Sequence, residues 1–296
     1  MRVDDLITAV RVTGRLADAD TDYTDARIRQ ELTDTLHTVF GGKIIAARSG
    51  HWLKQEDTTT TAGRTRYRLP YRASAIESVE LVDQEGALYE IRGDQIVFET
   101  APAGGSTLRV TYYVRPSLLT QEQTTGLITA KDTSALTVTV NNLPVNRVTT
   151  STIATGDRLD IVHKNGWHEL AVVNKTCTIS GTTITFPAGT DLTDVEVGTV
   201  DGDYVRAADQ TDWPAIQDDY HRCLADLTAA KILRSRGMRE KSDALMAEAY
   251  GTEKDPGPLR LFADLVEPRV KDSRQVCVPT VGVLRGTGRR WPLATV

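Results

Sequence analysis

The stretch Asp212–Lys231, DWPAIQDDYHRCLADLTAAK, decides the fold class. Ile216, Tyr220, Cys223, Leu227 and Ala230 recur within it at steps of four, three, four and three. That spacing is one face of a helix. Asp212 is a candidate cap and Pro214 stands where a first helical residue belongs, so a helix is predicted from there. Gly237 bends or breaks it. Leu245, Met246, Ala249 and Tyr250 carry the pattern on, with Gly251 as a stop. A last helical turn is expected over Leu259 to Leu265, after Asp255-Pro256-Gly257-Pro258. Near the other end, Ile28, Leu32, Leu36, Val39 and Phe40 share a helical face behind Thr24, a plausible N-cap. Gly41-Gly42 reads as a stop or bend before Lys43–Ala47. Residues 3–13 suit a short helix whose Asp4 and Asp5 face its positive end. The expected joint core is Ile28, Leu32, Leu36, Val39, Ile216, Tyr220, Leu224 and Leu227.

Between these helices the period changes from helical to alternating. Ile76–Val82, Leu88–Ile91, Gln95–Glu99 and Leu108–Val114 are separated by turn residues at Asp83–Gly86, Gly93-Asp94 and Pro102–Gly105, which describes an antiparallel meander. Residues 120–205 hold 22 Ser or Thr in 86 positions. Short strands are expected there at Leu136–Val140, Arg158–Val162, Glu169–Val173, Cys177–Ile179 and Thr183–Phe186. Gly166, Gly181 and Gly189 mark turns, and the spacing suggests a small barrel or sandwich. The reading is α+β. Residues 1–119 and 206–265 form a helical-bundle core with a small antiparallel meander, residues 120–205 an inserted β-domain, and residues 266–296 an extended C-terminal tail.

Bulk properties narrow the function. The chain has 296 residues, 40% hydrophobic and 25% charged, enough for one large domain or two modest ones. No apolar run approaches the ~20 residues of a membrane span, and Met1-Arg2-Val3-Asp4-Asp5 lacks a secretory stretch. A cytoplasmic site of synthesis and no membrane partner are expected. Cys177, Cys223 and Cys277 are odd in number and show no paired spacing, so buried or incidental thiols are expected rather than disulfides or zinc. Net charge is −5 but uneven: residues 268–296 carry six basic residues and one acid, giving +5 there and −10 on residues 1–267. That segment also holds Val276, Val278, Val281, Val283, Leu284, Trp291 and Leu293 among prolines and glycines. Such a composition suits an arm that orders on a partner, and its charge fits an electrostatic docking arm or a nucleic-acid arm alike.

Motifs of chemistry are sparse. There is no Gly-x-Ser-x-Gly, Walker loop or His-Glu-x-x-His. Gly286-Thr287-Gly288-Arg289-Arg290 lacks the third glycine and the flanking elements of a phosphate loop. His163 and His168 bracket a Lys-Asn-Gly-Trp turn, but no third ligand accompanies them, so turn histidines on the surface are expected. His37 and His221 read as helix residues, and Asp218-Asp219 as a solvated face. No enzyme activity, cofactor or metal is expected. The acidic body argues against sequence-specific nucleic-acid reading.

The order of parts is more informative. A helix holding Tyr23 and Thr24-Asp25-Ala26 opens the core. Ala62-Gly63 then precedes Tyr67-Arg68-Leu69-Pro70, which leads into Val79-Glu80-Leu81-Val82. After the β-rich segment, Trp213-Pro214-Ala215-Ile216 opens a helix containing Tyr220 and Ala229-Ala230. This arrangement resembles the head-to-tail adaptor (connector) proteins of tailed bacteriophages, including tail tubular protein A of podophages, over residues 1–119 and 206–265. The resemblance implies a structural ring, usually of twelve subunits, beneath a portal protein in the virion neck, assembled in the host bacterial cytoplasm. A tail protein would follow, and DNA would pass through the lumen without sequence-specific binding. Tyr67, Leu69, Pro70, Trp213 and Pro214 are the motif residues. The arm residues Arg274, Val278, Val281, Leu284, Arg285, Arg289, Arg290 and Trp291 would meet the portal or a neighbouring subunit. Two other readings compete: a tail-completion, terminator or baseplate component, and a carbohydrate-binding protein with Trp167 as stacking platform.

Overall fold

The computed structural model describes residues 1–18, 20–84, 87–120, 126–146, 151–198 and 202–267. The arm residues Arg274, Val278, Val281, Leu284, Arg285, Arg289, Arg290 and Trp291 lie outside these, as does Cys277. Mixed helix and strand are present, as the change of period implies. Contacts divide the described chain into two compact units, residues 53–114 and residues 1–52 with 115–267. Residues 120–205, read from the sequence as an inserted β-domain, lie within the second of these units.

Among its described residues the 53–114 unit has six strands: β1 (Leu53–Thr59), β2 (Arg66–Arg68), β3 (Ala73–Leu81), β4 (Tyr89–Arg92), β5 (Gln95–Phe98) and β6 (Thr107–Val114). They form two three-stranded sheets, ordered β1-β6-β3 and β2-β5-β4. Gly93, at φ 59°, makes the hairpin between β4 and β5. Along β6, Leu108, Val110 and Tyr112 alternate inward, the half-buried pattern expected of strands. Arg109, on the outward side, pairs with Asp57 across the sheet at 2.9 Å.

In the other unit the helices are α1 (Val3–Gly14), α2 (Asp25–Thr35), α3 (Gly41–Ala46), α4 (His221–Ser235), α5 (Arg239–Tyr250) and α6 (Pro258–Val266). Thr24 accepts from the Arg27 N–H at 3.4 Å, making the N-cap, and Pro258 is the first residue of α6. Ile28, Leu32, Leu36, Leu224 and Leu227 are buried, as is Ile216, whereas Val39 and Tyr220 are half-buried. Ala225, Ala229 and Ala230 are small and buried, which lets α4 approach α1, α2 and α5 closely. Phe262 of α6 meets Phe40 and Tyr220 edge-on, each at 5.0 Å.

Two helix expectations need correction. Gly41-Gly42 does not end the early helix. A π-turn over Leu36–Phe40 passes directly into α3, with Gly41 itself helical. A Cβ on Gly41 would lie 3.1 Å from the Trp52 ring, so the glycine serves a close approach rather than a stop. Nor does the late helix begin at Pro214. Gln217 is extended (ψ 138°), a 3-10 turn covers Asp218–Tyr220, and α4 starts at His221. Asp212 does not cap it; its carboxylate pairs with buried Arg206 instead.

The β-rich segment adds β7 (Leu118–Leu119), β8 (Gly126–Asp132), β9 (Thr137–Val140), β10 (Val145–Asn146), β11 (Ser151–Thr152), β12 (Arg158–Val162), β13 (Leu170–Thr176), β14 (Thr178–Ser180), β15 (Thr183–Thr185), β16 (Tyr204–Ala207) and β17 (Gln210–Thr211). Seven of them make one sheet in the order β13-β12-β16-β8-β9-β15-β14. Its two edges, β13 and β14, are joined in sequence by Cys177 alone, so the sheet curls into a nearly closed barrel. Ile128, Val138, Leu159, Ile161, Ile184 and Val205 fill its interior. Lys131 reaches the loop below and donates to the carbonyls of Leu192, Thr193 and Val195 at 3.3, 2.7 and 2.6 Å. Cys177 and Cys223 are buried and free. Burial pushes their thiols up to about 11 and about 12.

Candidate functional site

The motif residues separate between the two units. In the 53–114 unit, Tyr67 is buried and its hydroxyl bridges the Thr61 backbone, accepting from its N–H at 3.0 Å and donating to its carbonyl at 3.3 Å. Its ring meets Phe98 edge-on at 5.9 Å. Leu69 donates its N–H to the Asp94 carbonyl at 2.8 Å, and the Pro70 carbonyl accepts from Ala73 at 3.2 Å. These contacts make Tyr67-Arg68-Leu69-Pro70 a turn that delivers the chain into β3. They are structural in kind.

Trp213 and Pro214 belong to the other unit and lead to a polar cluster that sequence spacing did not reveal. The turn after β12 brings His168 inward, with a left-handed backbone (φ 51°) that a non-glycine residue adopts only when its surroundings hold it. His168 is buried, 3% exposed, and its ring stacks on Trp213 at 4.8 Å. The Asp218 N–H donates to the Gly166 carbonyl at 2.9 Å, tying that turn to the 3-10 turn before α4. His221, the first residue of α4, is fully buried. Turn and helix start thus meet at one point although 50 residues separate His168 from Asp218.

At that point Asp218 Oδ1 stands 3.2 Å from His168 Nε2 and 3.3 Å from His221 Nδ1. The Met1 nitrogen lies 2.7 Å from His221 Nδ1 and 3.7 Å from Asp218 Oδ1. His221 Nε2 is 3.0 Å from the Ile216 carbonyl. A carbonyl only accepts, so Nε2 carries the proton and Nδ1 presents its lone pair to the cluster. Burial holds the His168 imidazole below its usual range, although Asp218 pulls the other way. Burial, aided by the Met1 ammonium, lowers His221 to about 4. Both rings are therefore neutral at pH 7. The Nδ1 of His168 is buried with no hydrogen-bond partner among the described residues. Surface histidines were expected in this turn. The structure buries His168 and half-buries His163, whose Nδ1 is 2.7 Å from Asp203.

Neighbouring residues brace the cluster. His51 Nδ1 contacts the Glu169 carboxylate, and its ring meets Trp167 edge-on at 4.3 Å. Trp167 is half-buried in this contact. Arg2 lies over the Trp213 ring, 5.6 Å from its centre. Chemically, two neutral imidazoles and a carboxylate whose donor atoms lie within 4.8 Å of one another form a set that can hold a cation. Sequence placed Asp218 three residues before His221 and paired His168 with His163, but it gave no sign that His168 meets the other two.

No protein-family model matches the chain, and no curated protein matches it. Among the described residues no helix is long and apolar enough to cross a membrane.

Proposed function

We propose that this chain is a structural connector of a tailed-bacteriophage neck, a ring-forming protein that joins a DNA-filled head to its tail. The observation that carries this reading is the closure of one helical bundle around α4 by segments from both sides of the β-rich chain, α1 and α2 before it and α5 after it. The resemblance to head-to-tail adaptors rests on the order of parts along the chain, in which a late alanine-bearing helix completes such a bundle. An acidic body of residues 1–267, at −10 by sequence, supports a lumen that lets DNA slide without sticking. In this reading a portal protein lies above the ring and a tail protein below, with twelve copies in the ring and no catalytic step. Leu261 and Leu265, on the outer face of α6, supply apolar surface for a neighbouring subunit. Native mass measurement and two-dimensional class averages of the purified chain test the reading. A cyclic oligomer of about twelve copies is the expected result. A protein that stays monomeric at high concentration, and in the presence of portal rings, would remove the connector reading.

A further inference from the structure

We propose that His168, Asp218 and His221 form a three-ligand site for a tetrahedral divalent transition-metal ion, with Zn2+ the ion it fits best. The site stands apart from the connector reading and depends only on the local geometry. An ion with bonds of about 2.0–2.1 Å to nitrogen and oxygen, arranged tetrahedrally, has edges between its ligand atoms of about 3.3–3.4 Å. Two of the three edges are already near that length, 3.2 Å from Asp218 Oδ1 to His168 Nε2 and 3.3 Å to His221 Nδ1. The third, between the imidazoles, lies within 4.8 Å and needs the rings to draw together.

The surroundings match what a metal site requires. The Nε2–H of His221 donates to the Ile216 carbonyl at 3.0 Å, the outer hydrogen bond that orients a ligating imidazole. Trp213 fixes the plane of His168 by stacking on it. His168 Nε2 faces the Asp218 carboxylate and carries the ring's proton in the free site; on metal binding that proton passes to Nδ1, which has no hydrogen-bond partner among the described residues. Asp218 is half exposed, with 49% of its side chain accessible, which provides an entry path. Water would take the fourth position. Two imidazoles and one carboxylate suit zinc better than magnesium or calcium, which favour all-oxygen sets. Bound there, the ion would clamp the turn after β12 to the start of α4.

The test uses the full chain, stripped with EDTA and dialysed free of it. ZnCl2 is titrated by calorimetry, and CoCl2 by visible absorption as a reporter of four-coordinate geometry. One equivalent per chain is expected, with a Kd of about micromolar or tighter and the intense visible bands of tetrahedral cobalt. Asp218→Asn, at an exposed position, should weaken binding by at least about tenfold. Asp219→Asn, on the same turn but outside the cluster, should leave it unchanged. His168→Gln is a second probe and should abolish the cobalt bands. Absence of stoichiometric binding, or Asp218→Asn binding zinc as tightly as the wild type, overturns the proposal.

Discussion

The indole N–H of Trp52 donates to the backbone carbonyl of Ala215 at 2.8 Å, across 163 residues of chain. The contact is buried, and it joins the segment that follows α3 to the extended stretch before α4. The Ala215 carbonyl, engaged in this way, is held outside the helix that the sequence pattern would start there. Trp52→Phe keeps the ring but leaves the carbonyl without its donor. A loss of about 1–3 kcal/mol is expected, read as a lower urea midpoint with unchanged slope. An unchanged midpoint would mean that water replaces the indole.

The bundle should respond to cavities on both sides of α4. Leu32 is fully buried and Leu227 is 3% exposed. Leu32→Ala and Leu227→Ala should each cost roughly 2–5 kcal/mol. Thermal melts of the purified variants decide the matter, and wild-type melting in both would contradict the packing around α4.

Arg206 and Asp212 form an ion pair with both side chains buried, at 6% and 3% accessibility. Removing one partner strands the other charge. Asp212→Ala is expected to destabilise by about 3–5 kcal/mol, whereas Arg206→Met with Asp212→Leu should recover much of that loss. Chemical denaturation of the three proteins makes the comparison. A double variant no better than the single one would show that the pair contributes more than its own neutralisation.

Acid should weaken the 1–52 and 115–267 unit before carboxylates titrate. Burial lowers His37, with Arg115 adding to it and Asp209 and Asp34 opposing. His168 is lowered by burial against Asp218, with Met1 and Arg206 nearby. Burial lowers His221 to about 4, with Met1, Asp218 and His168 around it. The unfolded chain binds these protons near pH 6.5, more readily than the folded one. Stability is therefore full above pH 6.5 and falls as pH drops from 6.5 toward 4. Melting temperature measured in EDTA from pH 7.5 to 4.5 should decline across that window. A flat profile would show that the imidazoles protonate without cost.

The arm can be tested by its absence. Under the connector proposal, removing residues 275–296 should leave a folded subunit that no longer joins filled heads, and Trp291→Ala should weaken joining. The anchor role assigned to Trp291 follows from the weight of buried aromatics in interfaces. Infectious particles at normal yield from the truncated protein would dispose of the docking role.

Local chemistry carried much of the secondary structure. Residues 3–13, the stripe from Ile28 to Phe40, the cap at Thr24, the turn from Leu259 to Leu265 and strands such as Arg158–Val162 follow from periodicity and capping, which act over a few residues. Failures arose where a distant group claimed a local one. Gly41 reads as a stop until Trp52 is placed against it. Asp212 reads as a cap until Arg206 takes its carboxylate. Strands β1 and β8 escaped notice because β1 is polar and mostly exposed and β8 is polar over its second half.

What the sequence determined by itself was the α+β class, the helix faces, a strand spacing over residues 120–205 that suits a barrel or a sandwich, and the contrast between an acidic body and a basic end. Tertiary structure alone decided which strands close the barrel, that this barrel shares a unit with the helices, and that His168, Asp218 and His221 meet. Periodicity reports which face of an element is apolar. It does not report which remote polar group will satisfy a buried imidazole or carboxylate, because that choice is made when the chain closes over tens to hundreds of residues.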